Sequence, residues 1–496
     1  MKKSFYLGTG LFLTCFLLSL FPELLPDNLP PKAIAMLGVT LIISVFWLAE
    51  TIPIAGTSII PLFLLPLLGI LPAEQVATAY GSDIVLLFMT GFFIATAIEK
   101  WNLHRRIALN IIKIVGTKPE RLILGFMLGT AALSMWISNT ATTLMMLPIA
   151  VATVEQTVKA NPDIDVKKTM GTSLMLGIAY GANIGGIGTP IGTPTNLIFL
   201  AQLKAVFPDI SAITFFQWII VGMPAVFIFV ILSWLYLTKV GSPIPEDFLL
   251  SGEAEIIELE LEELGAFSAG EKYVAILFAA TAFLWIFRAD IAVGDFTIIG
   301  WSSYLGVRDF VSDSTVGALI SVIMFLIAVK NDKGEDVHLL DWDSAVKIPW
   351  GILLLLGGAL AISKGFFASG LSAFMADNLQ FWLAKFPLFL TAIAICLVVN
   401  ILTEFISNTA LTSLMMPILA IAATAININP EVLMLPAAIA ASFAFMLPVA
   451  TGPNAIVYSE NYFPISTMAK TGFAVNIIGL ILLILTMNFI IFPLLL

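Results

Sequence analysis

The sequence predicts an all-α polytopic membrane protein built on an internal inverted repeat. Three observations predict it: a composition too apolar for water, spans that fill the chain, and a motif written twice. Of the 496 residues 59% are hydrophobic and 11% charged, with a mean hydropathy of +1.02, against about 25% charged in soluble domains. Apolar windows of about 20 residues, each enough to cross a bilayer as a helix, begin near Phe5, Ala33, Val85, Ile123, Leu144, Trp218, Val274, Val316, Ile352, Leu388, Leu411 and Val475. No stretch shows the alternating ten-residue pattern of a barrel strand, so helices are expected.

The repeated motif is "SNTATTLMMLP" at Ser138–Pro148 and "SNTALTSLMMP" at Ser407–Pro417, 269 positions later. Ahead of each lies an apolar span with glycine in its middle, from Leu86 and from Leu353, and then an amphipathic stretch. The first stretch is crowded by Lys100, Arg105, Arg106, Lys113, Lys118 and Arg121, whereas the second holds Lys364 and Lys385. Positive charge marks the cytoplasmic side, so the two copies are expected to run in opposite directions. Inverted copies are the mark of many secondary transporters, whose sites form from broken helices at the repeat interface. Each amphipathic stretch reads as a soluble connector or as a helix lying in the membrane interface.

Each Ser-Asn-Thr separates two apolar arms too short to cross and return: Ile123–Ile137 and Ala141–Val154, then Leu388–Ile406 and Ala410–Ile426. A hairpin that enters the membrane and turns needs a polar tip, because backbone groups freed there must meet protein or a water-lined cavity. Ser, Asn and Thr bond neighbouring backbone and cap the following helix. A second pair of interruptions, "GANIGGIGTPIGTPTN" at Gly181–Asn196 and "LPVATGPN" at Leu447–Asn454, places Gly and Pro inside what would otherwise be single spans. Capping or a kink explains one break; four breaks in two matched pairs describe a ligand site. Hydroxyls, amide oxygens and unwound carbonyls suit a hard cation, and helix N-termini favour carboxylates or other anions. The four motifs hold no Arg, Lys or His. A dianion there calls for co-bound cations or a basic residue from elsewhere.

Other features read plainly. Lys2-Lys3 and the run behind them lack a small-x-small cleavage site and read as the first span. Cys15 and Cys396 lie in apolar segments and read as buried thiols, and His104 and His338 do not suggest a metal centre. Eight acids and no base between Glu246 and Glu263, a large part of the formal charge of −10, read as a solvated linker between two membrane blocks.

With these motifs placed, the whole chain resembles the divalent anion:sodium symporter family of di- and tricarboxylate transporters. The resemblance implies a homodimer in the cell membrane among its lipids, with about eleven transmembrane helices plus two re-entrant hairpins in each chain. It further implies a transport domain that slides through a scaffold like an elevator, no enzyme chemistry and no nucleic-acid partner. Its divisions are scaffold helices at 1–82 and a first repeat at 83–210 with hairpin 123–157 and broken helix 172–207. Scaffold helices at 211–350 with the acidic loop 241–271 follow, then a second repeat at 351–496 with hairpin 388–426 and broken helix 433–465. One Na+ would sit on Ser134, Ser138, Asn139 and the Gly192 carbonyl, and another on Thr403, Ser407, Asn408 and the Ala450 carbonyl. A C4 or C5 dicarboxylate (succinate, malate, fumarate or 2-oxoglutarate) would meet Ser138, Asn139, Thr140, Thr193, Ser407, Asn408, Thr409 and Thr451, with Asn196 and Asn454 as second choices.

The family also includes sodium-independent exchangers, for which Glu99, Lys100, Lys364 or Glu404 would matter, and sulfate lies within its range. Read alone, the lysines snorkel to the interface and Glu404 makes a helix-end or interdomain contact. A channel also uses re-entrant hairpins, but these copies are inverted and unequal, not a ring. A membrane enzyme with Ser138 or Ser407 as nucleophile lacks a histidine partner.

Overall fold

Apolar runs bounded by proline, glycine and charged ends fold as helices in the computed structural model, which describes residues 2–26, 28–116, 118–208, 210, 213–244, 253–293, 296–330, 334–383, 385–491 and 493. Helix α1 (Lys2–Ser19) packs along α2 (Pro31–Leu48), which starts at a proline whose missing N–H is no loss in a first turn. Short helices at Ile54–Thr57, Ile60–Leu67 and Ala73–Tyr80 lead to α3 (Asp83–Lys100). Asn102, with left-handed backbone at φ 55°, turns the chain into the amphipathic α4 (Leu103–Val115).

Hairpin one is α5 (Pro119–Ser134) and α6 (Asn139–Ala160), and the first broken helix is α7 (Thr172–Gly185) and α8 (Pro194–Val206). The chain continues through α9 (Phe215–Tyr236), α10 (Glu253–Glu263), α11 (Ala269–Ile286) and α12 (Asp313–Leu326). In the second half α13 (Trp350–Ser369) and α14 (Leu371–Leu383) precede hairpin two, α15 (Leu388–Thr403) and α16 (Asn408–Ala425). The second broken helix is α17 (Glu431–Ala440) and α18 (Gly452–Tyr458), followed by α19 (Ile465–Thr486). Two short antiparallel strand pairs, Ile291–Val293 with Phe296–Ile298 and Ala328–Lys330 with Asp336–His338, stand between helices.

Among the described residues eight helices are long and apolar enough to cross a membrane. The expected windows near Phe5, Val316 and Leu388 emerge as shorter apolar helices. The helices of hairpin two run over Leu388–Thr403 and Asn408–Ala425, those of hairpin one over Pro119–Ser134 and Asn139–Ala160; contrary to the expectation of short arms, the second arm of each is among the eight long enough to cross. Hairpin one lies against α7 at glycine positions. A Cβ on Gly185 would stand 2.3 Å from the Ala131 carbonyl oxygen, so only glycine permits that approach. Cys15 and Cys396 are free and buried, as expected.

The acidic segment departs from expectation. Residues 245–252 lie outside those described, but the rest is no solvated linker: α10 packs on α4 and on α6. Arg105 pairs with Glu260 and Glu263, and Lys113 with Glu258 (3.2 Å). Arg106 binds Glu271 (2.7 Å) and the carbonyls of Leu264 and Gly265. The basic face of α4 and the acids of α10 neutralise one another, and Ile257 is buried beneath them.

Candidate functional site

Both hairpin tips are built alike. In hairpin one Ser138 occupies the N-cap of α6 (φ −52°, ψ 132°), and in hairpin two Ser407 occupies the N-cap of α16 (φ −50°, ψ 125°). Each serine carbonyl starts its helix, accepting from Thr142 or Leu411 at 2.9 Å. Neither serine side chain caps, contrary to the expectation from residue type, so both hydroxyls stay available at the tip.

One turn before each tip lies a fully buried hydroxyl, Ser134 or Thr403. Ser134 Oγ stands 2.6 Å from Asn139 Oδ1 and 2.7 Å from the Ala182 carbonyl oxygen. Thr403 Oγ1 stands 2.6 Å from both Asn408 Oδ1 and the Ala441 carbonyl oxygen. A hydroxyl has one proton and cannot satisfy two acceptors at once. With the amide oxygen turned to the hydroxyl, each cluster gathers three neutral oxygens, a set that suits a hard cation such as Na+.

The breaks in the two split helices are also alike. Asn196 Nδ2 donates to the carbonyls of Gly186 and Thr189, ten and seven residues back; Asn454 Nδ2 does the same to Ala444 and Leu447. These asparagines staple each unwound loop from inside. The copies also interlock, since Asn183 Nδ2 reaches Thr451 Oγ1 (3.1 Å) and Asn454 Oδ1 (3.2 Å), and Thr195 Oγ1 meets Ser442 Oγ (2.8 Å).

Tips and breaks enclose a cavity of about 750 Å³. Ser138, Asn139, Thr140, Gly192, Thr193, Ser407, Asn408, Thr409, Ala450 and Thr451 all line it, while Ser134 and Thr403 sit behind the wall. The N-termini of α6, α8 and α16 open onto it, joined by that of the short α18; each long helix brings about half a positive charge. No Lys, Arg or His is among the described lining residues. Lys100 instead binds Asp341 (2.5 Å) and the His338 carbonyl (2.6 Å), and Lys364 donates to Thr78 (3.0 Å). The Lys100 ammonium holds the Asp341 carboxyl down at about 2.

Glu404, 2% exposed, turns away from the cavity. It accepts from the N–H groups of Phe445, Met446 and Leu447 (2.9–3.2 Å) and from Asn476 Nδ2 (2.7 Å). Its contact is thus with the second break and α19. The first copy closes differently, with Thr189 Oγ1 donating to the Met135 carbonyl and Trp218 Nε1 to that of Ile187 (2.9 Å). Sequence reasoning missed Asn183 and the walls formed by Trp47–Glu50, Phe88, Phe92 and Pro349. Asn183 stands inside the quoted Gly-rich stretch and could have been found there; the wall residues carry no motif.

The model of the sodium:sulfate symporter transmembrane region matches residues 6–496. A sodium-dependent dicarboxylate transporter, SdcS, of Staphylococcus saprophyticus is 39% identical over 473 residues, covering 95% of this chain and 88% of its own. The SdcS of Staphylococcus aureus is 40% identical over 468 residues, covering 94% and 87%. Among solved structures, the Alcanivorax borkumensis YdaH transporter superposes with a TM-score of 0.56 at 13% identity, over 92% of this chain and 97% of its own. Neisseria gonorrhoeae MtrF gives 0.54 at 13%, over 84% and 82%. At that identity the likeness speaks for the fold alone. With a family match along nearly its whole length, the chain belongs to the sodium:sulfate symporters, the divalent anion:sodium symporter family of multi-pass membrane transporters.

Proposed function

We propose that this protein carries C4 and C5 dicarboxylates across the bacterial plasma membrane together with Na+. The observation that carries the reading is the pair of matched neutral-oxygen clusters, Ser134–Asn139–Ala182 and Thr403–Asn408–Ala441, beside a cavity with no basic residue among its described lining. Na+ on the first cluster would also meet Ser138 and the Gly192 carbonyl, and on the second Ser407 and the Ala450 carbonyl. Each Na+ supplies one positive charge that the pocket lacks. The two carboxylates of the substrate meet Asn139, Thr140, Thr193, Asn408, Thr409 and Thr451, with the helix N-termini behind them. The sodium dependence in the names of the 39–40% identical relatives supports this coupling.

The carrying step is an elevator movement: hairpins and broken helices move as one block against scaffold helices at 1–82 and 211–350, in a homodimer. Interlocking of the copies through Asn183 and Thr195 supports a single moving block. The arrangement moves its ligands without changing a bond, so it is not an enzyme.

The test is succinate counterflow in proteoliposomes with sodium or with choline. Stimulation by sodium, and by linkage a rise in sodium affinity with succinate by the same factor, is the expected result. Equal counterflow in both salts overturns symport in favour of exchange.

A further inference from the structure

The cavity wall that carries the same sign of charge as the proposed cargo is the turn after α2. Among the described residues lining the cavity, Glu50 is the one ionisable side chain, and it is an acid. It is exposed and has no ion-pair partner among the described residues. Its backbone is left-handed at φ 44°, a region that non-glycine residues rarely adopt and that collects at functional sites.

The turn is pinned on both sides. Thr51 N–H donates to the Phe46 carbonyl (3.2 Å), Thr51 Oγ1 to Ser4 Oγ (2.8 Å), and Trp47 Nε1 to Ser58 Oγ (3.2 Å). Glu50 is thus held on the wall and not left on a free loop. A carboxylate there opposes entry of a dianion and draws cations, because low-dielectric walls focus the field of a fixed charge into a cleft.

We propose that Glu50 is a specificity-determining residue that sets the order of loading: its charge gathers Na+ into the cavity and holds the dicarboxylate off until the cation clusters are filled. This rests on the symport reading above. Glu50 is not one of the residues assigned to the cations or the carboxylates; in this proposal it acts through the potential of the mouth.

The test is uptake of radiolabelled succinate into proteoliposomes at varied sodium for wild type, E50D, E50N and E50K. Asparagine tolerates left-handed backbone better than most residues, so E50N removes the charge and keeps the turn. At low ionic strength E50N is expected to raise the half-saturating sodium about two- to fivefold, and E50K to raise it further, with E50D near wild type. Succinate KM at saturating sodium stays unchanged or falls. Raising choline chloride to about 0.15 M, where the screening length is about 8 Å, shrinks the difference. Where E50K fails to fold, E50N alone decides. Wild-type sodium dependence in E50N, whatever its maximal rate, overturns the proposal. Sodium-independent uptake by the wild type overturns the symport reading and this inference with it; sodium-dependent wild-type uptake with unchanged variants overturns the inference alone.

Discussion

Replacing Gly192 by alanine tests the two oxygen clusters separately. In the first break a Cβ at Gly192 would stand 2.5 Å from the Gly186 carbonyl oxygen and 3.0 Å from that of Met135. Both neighbours are backbone, so neither yields as a flexible side chain would. Asn196 Nδ2 also holds the Gly186 carbonyl, so any shift pulls the stapled loop with it. The second break carries Ala450 at the matching position, where the methyl is accommodated and 5% exposed. Overpacking of this kind costs about 1–3 kcal/mol. If the cost falls on the cation-bound state, sodium affinity drops about 5–150-fold. The assay is sodium-dependent succinate uptake by G192A, with thermal melting of the purified protein to separate loss of fold from loss of affinity. Ala450→Gly, which makes the second break resemble the first, should alter sodium dependence far less. A G192A protein with wild-type sodium dependence and wild-type melting would refute the reasoning.

Asn139→Ala and Asn408→Ala each remove an amide oxygen 2.6 Å from a buried hydroxyl. Sodium affinity should fall at least about tenfold, as for loss of a hydrogen bond to a charged group at ~1.5–3 kcal/mol; wild-type uptake in correctly eluting mutants contradicts the cluster reading. Glu404→Gln points an amide NH2 at backbone donors of the second break. A lowered melting temperature, with a cost of about 1–3 kcal/mol per unmet buried donor, is expected, and unchanged melting speaks against the staple. Opposite orientation of the repeats predicts that a cysteine placed in the Arg105–Arg106 stretch is labelled from the cytoplasm and one near Ala373 from outside; labelling of both from one side removes the inversion. Asp341, held at about 2 against an ordinary value near 4, contributes stability that is present above pH 4 and lost as pH falls toward 2. Asp341→Asn should therefore melt below wild type at neutral pH, with the gap closing between pH 4 and 2.

How much of this was legible depended on whether the partners were close in the chain or announced by a repeat. Ser134 and Thr403 were reachable because each precedes its Ser-Asn-Thr by one helical turn. The stapling role of Asn196 and Asn454 was not, since a lone asparagine after a Gly/Pro break reads as a cap; what identifies it is the shared reach of ten and seven residues back. The register itself changes within the repeat, from 269 residues between hairpin tips to 258 between the stapling asparagines, so one offset could not align both. The acids of α10 read as solvated because their partners on α4 lie about 150 residues earlier, and charge patterning along a chain gives no such pairings. Glu50 carried no signal at all, since an acid at the end of a span is what an interfacial charge looks like.

The repeat is nearly exact at the oxygen clusters and unequal directly behind them. The first break is closed by neutral groups, the Thr189 hydroxyl and the Trp218 indole; the second is closed by the Glu404 carboxylate, next in sequence to Thr403. No ion pair to Glu404 exists among the described residues, so its neutralising contacts are N–H dipoles. A cation on the Thr403–Asn408 cluster therefore meets a field that one on the Ser134–Asn139 cluster does not, although the oxygens that face the two are the same in kind. Matched substitutions in the two hairpins should for that reason differ in effect. Asn408→Ala leaves a site still biased toward positive charge, whereas Asn139→Ala leaves one with only dipoles to draw an ion, and the larger loss of sodium affinity is expected at Asn139. Equal losses at both would mean that the N–H groups of Phe445–Leu447 and the Asn476 amide screen Glu404 completely from the ion.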